Sequence, residues 1–547
     1  MVETIQTGWV TPPIPIRGLD HLGVQAPCIA LYGQLLPGIT NVTDRARYYS
    51  FYPWLLWSFE RRYTDHSKDA FCRVLRRAEC LLGLIASYHE TDLGEDDGTH
   101  GTGTIGRRKL QSPGALAVDG QATNLEEFAA FEGERSYFKN RLGGLGQYYF
   151  GSLRDLRILD YADNDRRQPP GYDRKRGETL AQALDQAVPA DRFFEVLDNG
   201  NVGPRELADL VAFCPCSLTS NEAELQQLLD IFLARTKEWK DEGGADRRAT
   251  LAILLDLVDR HEASPDISLE RSLRAASYSQ SLANGEAWHV HETWQRTRDG
   301  WGVYARNEML SVALQGLFWA QLRGIEERGG EIRSTAEAGS LLQDLVMTEL
   351  GSQWTGLTVE AAVERLRDSL PPLSDWSATS HEIQRTWKLH ASAHNHESSS
   401  EVAREAAMIL LSLLARGLSE DPYKDFAIDP GYFSSEDIHL SSLQQEAVRW
   451  LKWNIEDWIA WLGREWGIDR HLHVALRKLR YESRDTFRIR PLDESLTLVE
   501  VPDVAFTSPR IACASQILSD LGLVIQRGSW YELSDSGRAE LEACRHG

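Results

Sequence analysis

Histidine and cysteine are the first side chains in this 547-residue sequence whose spacing could do chemistry. His390, His394 and His396, followed by Glu397, form an H-x3-H-x-H cluster. On a helix the first two share a face, as two ligands of a metal site do. Such a site also needs a dry surrounding shell, and the run into SSSEVAR reads as a polar helix end and loop. No metal and no cofactor are therefore expected, and these three histidines stand only as candidates. Cys214-Pro-Cys216 is a C-x-C with no second pair near it in sequence, so structural thiols are expected there. Arg61/His66, Arg385/His390 and Arg464/His471 fit the arginine-to-histidine spacing of helical ribonucleases, but a chain this rich in arginine yields such pairs by chance. Gly101-Thr-Gly103-Thr-Ile-Gly106 formally matches the dinucleotide-binding glycine pattern. That pattern works only between a strand and a helix, so that a pyrophosphate meets the helix N-terminus. Here an acidic GEDDGTH precedes it, and a mobile surface loop is expected instead. No G-x-S-x-G, phosphate-binding G-K-S/T loop or H-E-x-x-H is present.

The elements that must position such residues belong to a globular chain. Hydrophobic residues make up 42% and charged residues 26%, which is ordinary for soluble domains, and the length allows three or four of them. No apolar run approaches the roughly 20 residues that span a bilayer. The N-terminus has neither the basic start nor the apolar stretch of a signal peptide, so no membrane association is expected. Seven scattered cysteines point to free thiols in a reducing cytoplasm. The net charge of −22 opposes wholesale attraction to nucleic acid, so any such contact must be local.

Gly38–Arg62, GITNVTDRARYYSFYPWLLWSFERR, anchors the chain. Asn41, Thr43 and Asp44 are good helix caps, and Tyr48, Phe51 or Tyr52, Leu55 and Phe59 recur at helical spacing. Pro53 predicts a kink or a restart. Arg45 and Arg47 lie about 200° apart on such a helix, so at least one must run into the interior or an interface and find a carboxylate or phosphate. One is expected to be an internal brace and the other a contact for a partner or a phosphate. Residues 1–37 read as an irregular arm.

Two stretches predict a helix, a short hairpin and a second helix, the order of a winged helix. One spans residues 145–186; the other begins near Ile511 and turns at Arg527-Gly528-Ser529. In the second, Ser515, Gln516, Ser519 and Asp520 are expected on the exposed side of the first helix. Arg470–Arg490 is the most basic segment. With the C-terminal module it offers Arg477, Lys478, Arg480, Arg484, Arg510 and Arg527 to a phosphate backbone. Leu443–Trp466 predicts one tryptophan-rich helix whose stripe is core or interface. The expected fold is mainly α and multidomain, with two winged-helix-like modules. Its boundaries are 1–190, 191–370, 371–469 and 470–547.

The segment PGITNVTDRARYYSFYPWLLW resembles the N-terminal signature of uncharacterised bacterial proteins that accompany mobile and phage-defence gene clusters. The likeness is carried by Gly38, Thr40, Arg45, Ala46, Arg47, Tyr48, Pro53 and Trp54. It implies an intracellular, multi-component setting and carries no catalytic residue with it. The resulting expectation is a non-enzymatic nucleic-acid-binding or assembly component of an anti-phage system. Its partners would be proteins of the same operon, with DNA reached through the C-terminal module. A nuclease or other metal-dependent enzyme, or a winged-helix protein scaffold, are the alternatives.

Overall fold

A computed structural model describes residues 20–94, 100–161, 167–236, 243–260, 267–418, 433, 437–482, 485–528 and 530–546. Most of the expected N-terminal arm, together with Arg484 and Ser529, lies outside them. Among the described residues there are 22 α-helices and only small antiparallel sheets of two or three strands. The fold is mainly α with small hairpins, as the helical periods predict.

The chain forms two compact units rather than four consecutive domains. The first comprises Met1–Tyr32, Ser272–His289 and Asp299–Thr507; the second comprises Gly33–Arg271, Val290–Arg298 and Ser508–Gly547. Proline and glycine mark turns, and a chain that leaves a unit and returns to it leaves no extra mark in composition. The predicted C-terminal domain is therefore divided near Thr507, with its basic lead-in in the first unit.

The second unit is built on the aromatic helix Arg47–Arg62, whose residues from Arg47 to Leu56 are all buried. Tyr48 packs 4.9 Å from Tyr149, and Trp54 5.3 Å from Phe193 and 5.2 Å from Phe213, ring centre to ring centre. Fully burying a large side chain of this kind stabilises by about 1.5–3 kcal/mol. The helix runs through Pro53 without a restart. None of the expected N-caps serves it. Ala46 holds the cap position, and its N–H donates at 2.9 Å to a carboxylate from far along the chain, Asp520. Thr43 accepts from the Thr40 N–H instead. The next helix, Lys68–Asp92, is capped by Ser67, whose hydroxyl accepts from Ala70 N–H. Its buried Arg76 donates to the carbonyls of Ala129, Asn140 and Phe138, fixing the loops that follow.

Both predicted helix–hairpin–helix segments are present in this unit. The first runs Phe150–Asp155, Leu159–Asp160 paired with Gly171–Tyr172, then Arg176–Asp185. The second runs Ile511–Asp520, Val524–Arg527 paired with Trp530–Leu533, then Asp535–His546. In the second, Ser515 and Asp520 are buried, not exposed as expected. The helix uses that side for packing and for the ion pair described below.

In the first unit, Ser399–Leu418 is a deeply buried helix, as its apolar run predicts. The tryptophan segment is broken where one helix is expected: Leu440–Trp450, then Ile455–Trp461, then a wider turn over Leu462–Asp469. The carbonyls of Leu451 and Trp453 at the break accept from the N–H groups of Glu360 and Val359, which open the helix Val359–Arg367. Satisfying another helix's free donors is what interrupts this one. Trp450, Trp461 and Trp466 lie 5.0–5.7 Å apart, with Trp450 and Trp466 in the core and Trp461 half-buried at its edge.

Candidate metal centre

Among the described residues, one group of histidine, cysteine or carboxylate side chains converges as metal ligands do: His89, His100, Cys214 and Cys216. Their ligand atoms all lie within 4.8 Å of one another. Cys214 Sγ is 3.5 Å from His100 Nδ1, and Cys216 Sγ is 3.4 Å from His89 Nδ1. A tetrahedral zinc ion bonds sulfur at about 2.3 Å and nitrogen at about 2.0 Å, which makes each sulfur-to-nitrogen edge about 3.5 Å. The two imidazole rings stand edge to face at 4.8 Å. Two thiolates with two imidazoles is a donor set that selects zinc.

The four ligands come from three pieces of chain, and the anchor segment holds two of them in place. His89 lies near the end of the helix Lys68–Asp92. His100, 3% exposed, opens the loop that leads to the helix Arg107–Leu116. Arg45 donates to the carbonyls of His100 and Thr102, at 3.2 and 2.8 Å, and Tyr48 Oη accepts from Ile105 N–H at 2.8 Å. Gly103 has φ 74°, and a Cβ there would sit 2.7 Å from Asp44 Cβ and 3.1 Å from Arg45 Cδ. Gly103 is thus required by close packing on the anchor, while a Cβ at Gly101 would meet Glu90 and Arg107 and one at Gly106 would meet Leu110 and Tyr137. Thr104 and Ile105 are buried, so this part of the expected mobile surface loop is packed structure. Cys214 and Cys216 flank Pro215, where the short 3-10 helix Pro215–Ser220 begins. Arg47 donates to the carbonyl of Ala212 at 2.7 Å, two residues before Cys214.

Both arginines are 1% exposed and both are paired internally. Arg45 grips Asp520 with two nitrogens, at 2.9 and 3.0 Å, and Arg47 Nε lies 3.0 Å from Glu224. Neither is left for a partner or a phosphate, which corrects the expectation for one of them. Arg45 precedes the cap of the helix and Arg47 opens it, so the two do not share a helix as expected, and a guanidinium buried in either place has to find a carboxylate indoors.

The thiols are set up unequally. Cys216 is drawn down to about 5, chiefly by a hydrogen bond from Cys214, against its burial and with help from His100, Ser217 and His89. The same bond, together with burial, pushes Cys214 up. A thiolate is the ligating form, and Cys216 supplies it.

The other sequence candidates do not gather into one site. The His390 ring is half-buried 4.9 Å from Phe506, while His394 and His396 are exposed. Lys478 is buried and donates to Asp20 O at 2.7 Å. Arg477 is half-buried and Arg480 exposed, and Arg484 lies outside the described residues. Arg510 donates to Leu36 O at 3.0 Å, and exposed Arg527 pairs with Glu532 at 3.4 Å. Arg477, Lys478 and Arg480 belong to the first unit, Arg510 and Arg527 to the second. Sequence reasoning missed His89 and His100 because they lie more than a hundred residues from the cysteines. The C-x-C motif was the only local signal.

No protein-family model, curated protein or solved structure matches the chain. No described helix is long and apolar enough to cross a membrane.

Proposed function

We propose that this chain is a non-enzymatic nucleic-acid-binding or assembly component of a bacterial anti-phage system, its second unit stapled by one zinc ion. The convergence of His89, His100, Cys214 and Cys216 carries the proposal. Four protein ligands leave no open coordination position, and such closed sites are structural, whereas catalytic zinc keeps a place for water or substrate. This supports the non-enzymatic reading over a nuclease working at this centre. The seven cysteines, all free, suit a reducing cytoplasm. The Arg-Ala-Arg-Tyr signature supports the defence setting, where proteins of the same operon are the partners. The two helix–hairpin–helix segments are read as winged-helix-like modules.

The test is elemental analysis of the purified chain together with nuclease assays in magnesium, manganese and zinc. One zinc per chain and no turnover are expected. A metal-free chain would overturn the zinc staple, and divalent-dependent cleavage would overturn the non-enzymatic reading.

A further inference from the structure

The two sulfurs of the four-ligand cluster share one tight turn. Cys214 has φ −56° and ψ 138°, Pro215 follows, and Cys216 lies in the 3-10 helix Pro215–Ser220. Cys214 donates a hydrogen bond to Cys216, and the two sulfurs lie within 4.8 Å. A disulfide asks for Cα atoms about 4.4–6.8 Å apart, and residues two apart in a turned backbone fall within that range.

Access to the cluster is one-sided. Six of the seven free cysteines are buried, and Cys216 is half-buried. His89, whose Nδ1 lies 3.4 Å from the Cys216 sulfur, is half-buried too, whereas Cys214 and His100 are closed off from solvent. A small oxidant therefore meets the cluster at Cys216, with a second sulfur directly behind it.

The backbone that carries the ligands is held without metal. Arg45 binds the carbonyls of His100 and Thr102, and Arg47 binds that of Ala212, before the cysteine turn. Each arginine is itself locked to a buried carboxylate. Loss of an ion leaves the His100 loop and the cysteine turn tied to the anchor helix, ready to take it up again.

We propose that Cys214 and Cys216 form a reversible, peroxide-driven disulfide that releases the zinc, so that oxidation opens the staple of the second unit. The proposal rests on the zinc site proposed above and adds its regulation. The Cys216 thiolate attacks one oxygen of hydrogen peroxide, the O–O bond breaks, and hydroxide leaves a sulfenic acid on Cys216. The Cys214 thiolate then attacks that sulfur, the S–S bond forms, the S–O bond breaks, and a second hydroxide leaves. The two thiolates give up two electrons, and the peroxide becomes two waters with two protons from solvent. Disulfide sulfurs do not serve as thiolate ligands, and two imidazoles fall short of the four ligands of a structural site, so Zn²⁺ departs. A disulfide in so small a ring, open to solvent on one side, is of the readily reduced kind.

The test treats the zinc-loaded full chain with excess hydrogen peroxide. Released zinc is read with a chromogenic chelator, remaining thiols with a thiol reagent after denaturation, and the bridge by peptide mass. One zinc should leave for every two of the seven thiols lost, with a Cys214–Cys216 bridge in the peptide. The melting temperature should fall while helical circular dichroism is kept, because a ligand of the folded state has gone. Dithiothreitol with one equivalent of zinc should restore both metal and melting temperature. In Cys214→Ser, dimedone should label Cys216 after peroxide, a readout that needs no bound metal. Zinc retained through peroxide, zinc lost with a different disulfide or with sulfonic acids, or dimedone on another cysteine would overturn the switch and leave the zinc site standing. A purified chain that binds no zinc would overturn both.

Discussion

His390, His394 and His396 sit within seven residues of one another and do not assemble; His89, His100, Cys214 and Cys216 span well over a hundred and do. The triplet has helical spacing, but its helix, Glu382–His394, ends at the second histidine, and the last two are in solvent. The quartet has no common period. It is brought together by buried braces, with Arg45 tied to the His100 loop and Arg47 to the Cys214 turn. Ligand spacing along one helix therefore says little unless other chain closes over it. What makes the quartet a candidate centre is the set of residues that hold its backbone.

The sharpest way to break that comparison is to remove a brace. Arg45→Ala should cost roughly 3–5 kcal/mol of stability in chemical denaturation, because it strands the buried Asp520 carboxylate. It should also lower the zinc retained by the soluble protein, since the His100 and Thr102 carbonyls lose their donor. Arg47→Ala should behave alike through Glu224. Parent-like stability in both variants would mean the braces do not hold the site.

A middle-sized effect comes from two histidines outside the quartet, His471 buried and His21 half-buried. His21 and His471 in the first unit are held down to about 3 and about 4, first by burial, with Arg488 and Lys478 adding to it. The folded state keeps them neutral, while the unfolded chain takes up protons below about 6.5. Stability is thus full above that value and is lost progressively as pH falls from there towards the folded values. Thermal melts should show a loss of roughly 4 kcal/mol between pH 7 and pH 5, about 2 from each histidine. His21→Gln/His471→Gln should flatten that slope; an equal slope in the variant would contradict the assignment.

The smallest effect belongs to the triplet. Changing His390, His394 and His396 together to Ala should shift stability by no more than about 0.5–1 kcal/mol and leave bound zinc unchanged in elemental analysis. Lost metal would reverse the comparison.

The legible parts of the sequence are those where one local rule decides. The aromatic period of Tyr48 to Phe59 and the turn chemistry before Trp530 placed their elements. The opposed directions of Arg45 and Arg47 required an internal partner for at least one of them. The partners themselves, Asp520 and Glu224, lie far along the chain and leave no local trace. Asp520 reads as a surface residue until the anchor segment is packed on it. Cys214-Pro-Cys216 carried half of a metal signal, but its other half sat at the end of one helix and the start of a glycine loop. The break after Trp450 depends on donors from Val359 and Glu360, which no window around the tryptophans contains.

The most direct test is to load metal-free protein with Co²⁺ and record its visible spectrum. Tetrahedral coordination by two thiolates and two imidazoles gives intense d–d bands and a thiolate charge-transfer band at one equivalent. Both should vanish in Cys214→Ser/Cys216→Ser, weaken in His89→Ala and persist in the His390/His394/His396 variant. The weak spectrum of six-coordinate cobalt, or strong bands that survive loss of both cysteines, would contradict the account.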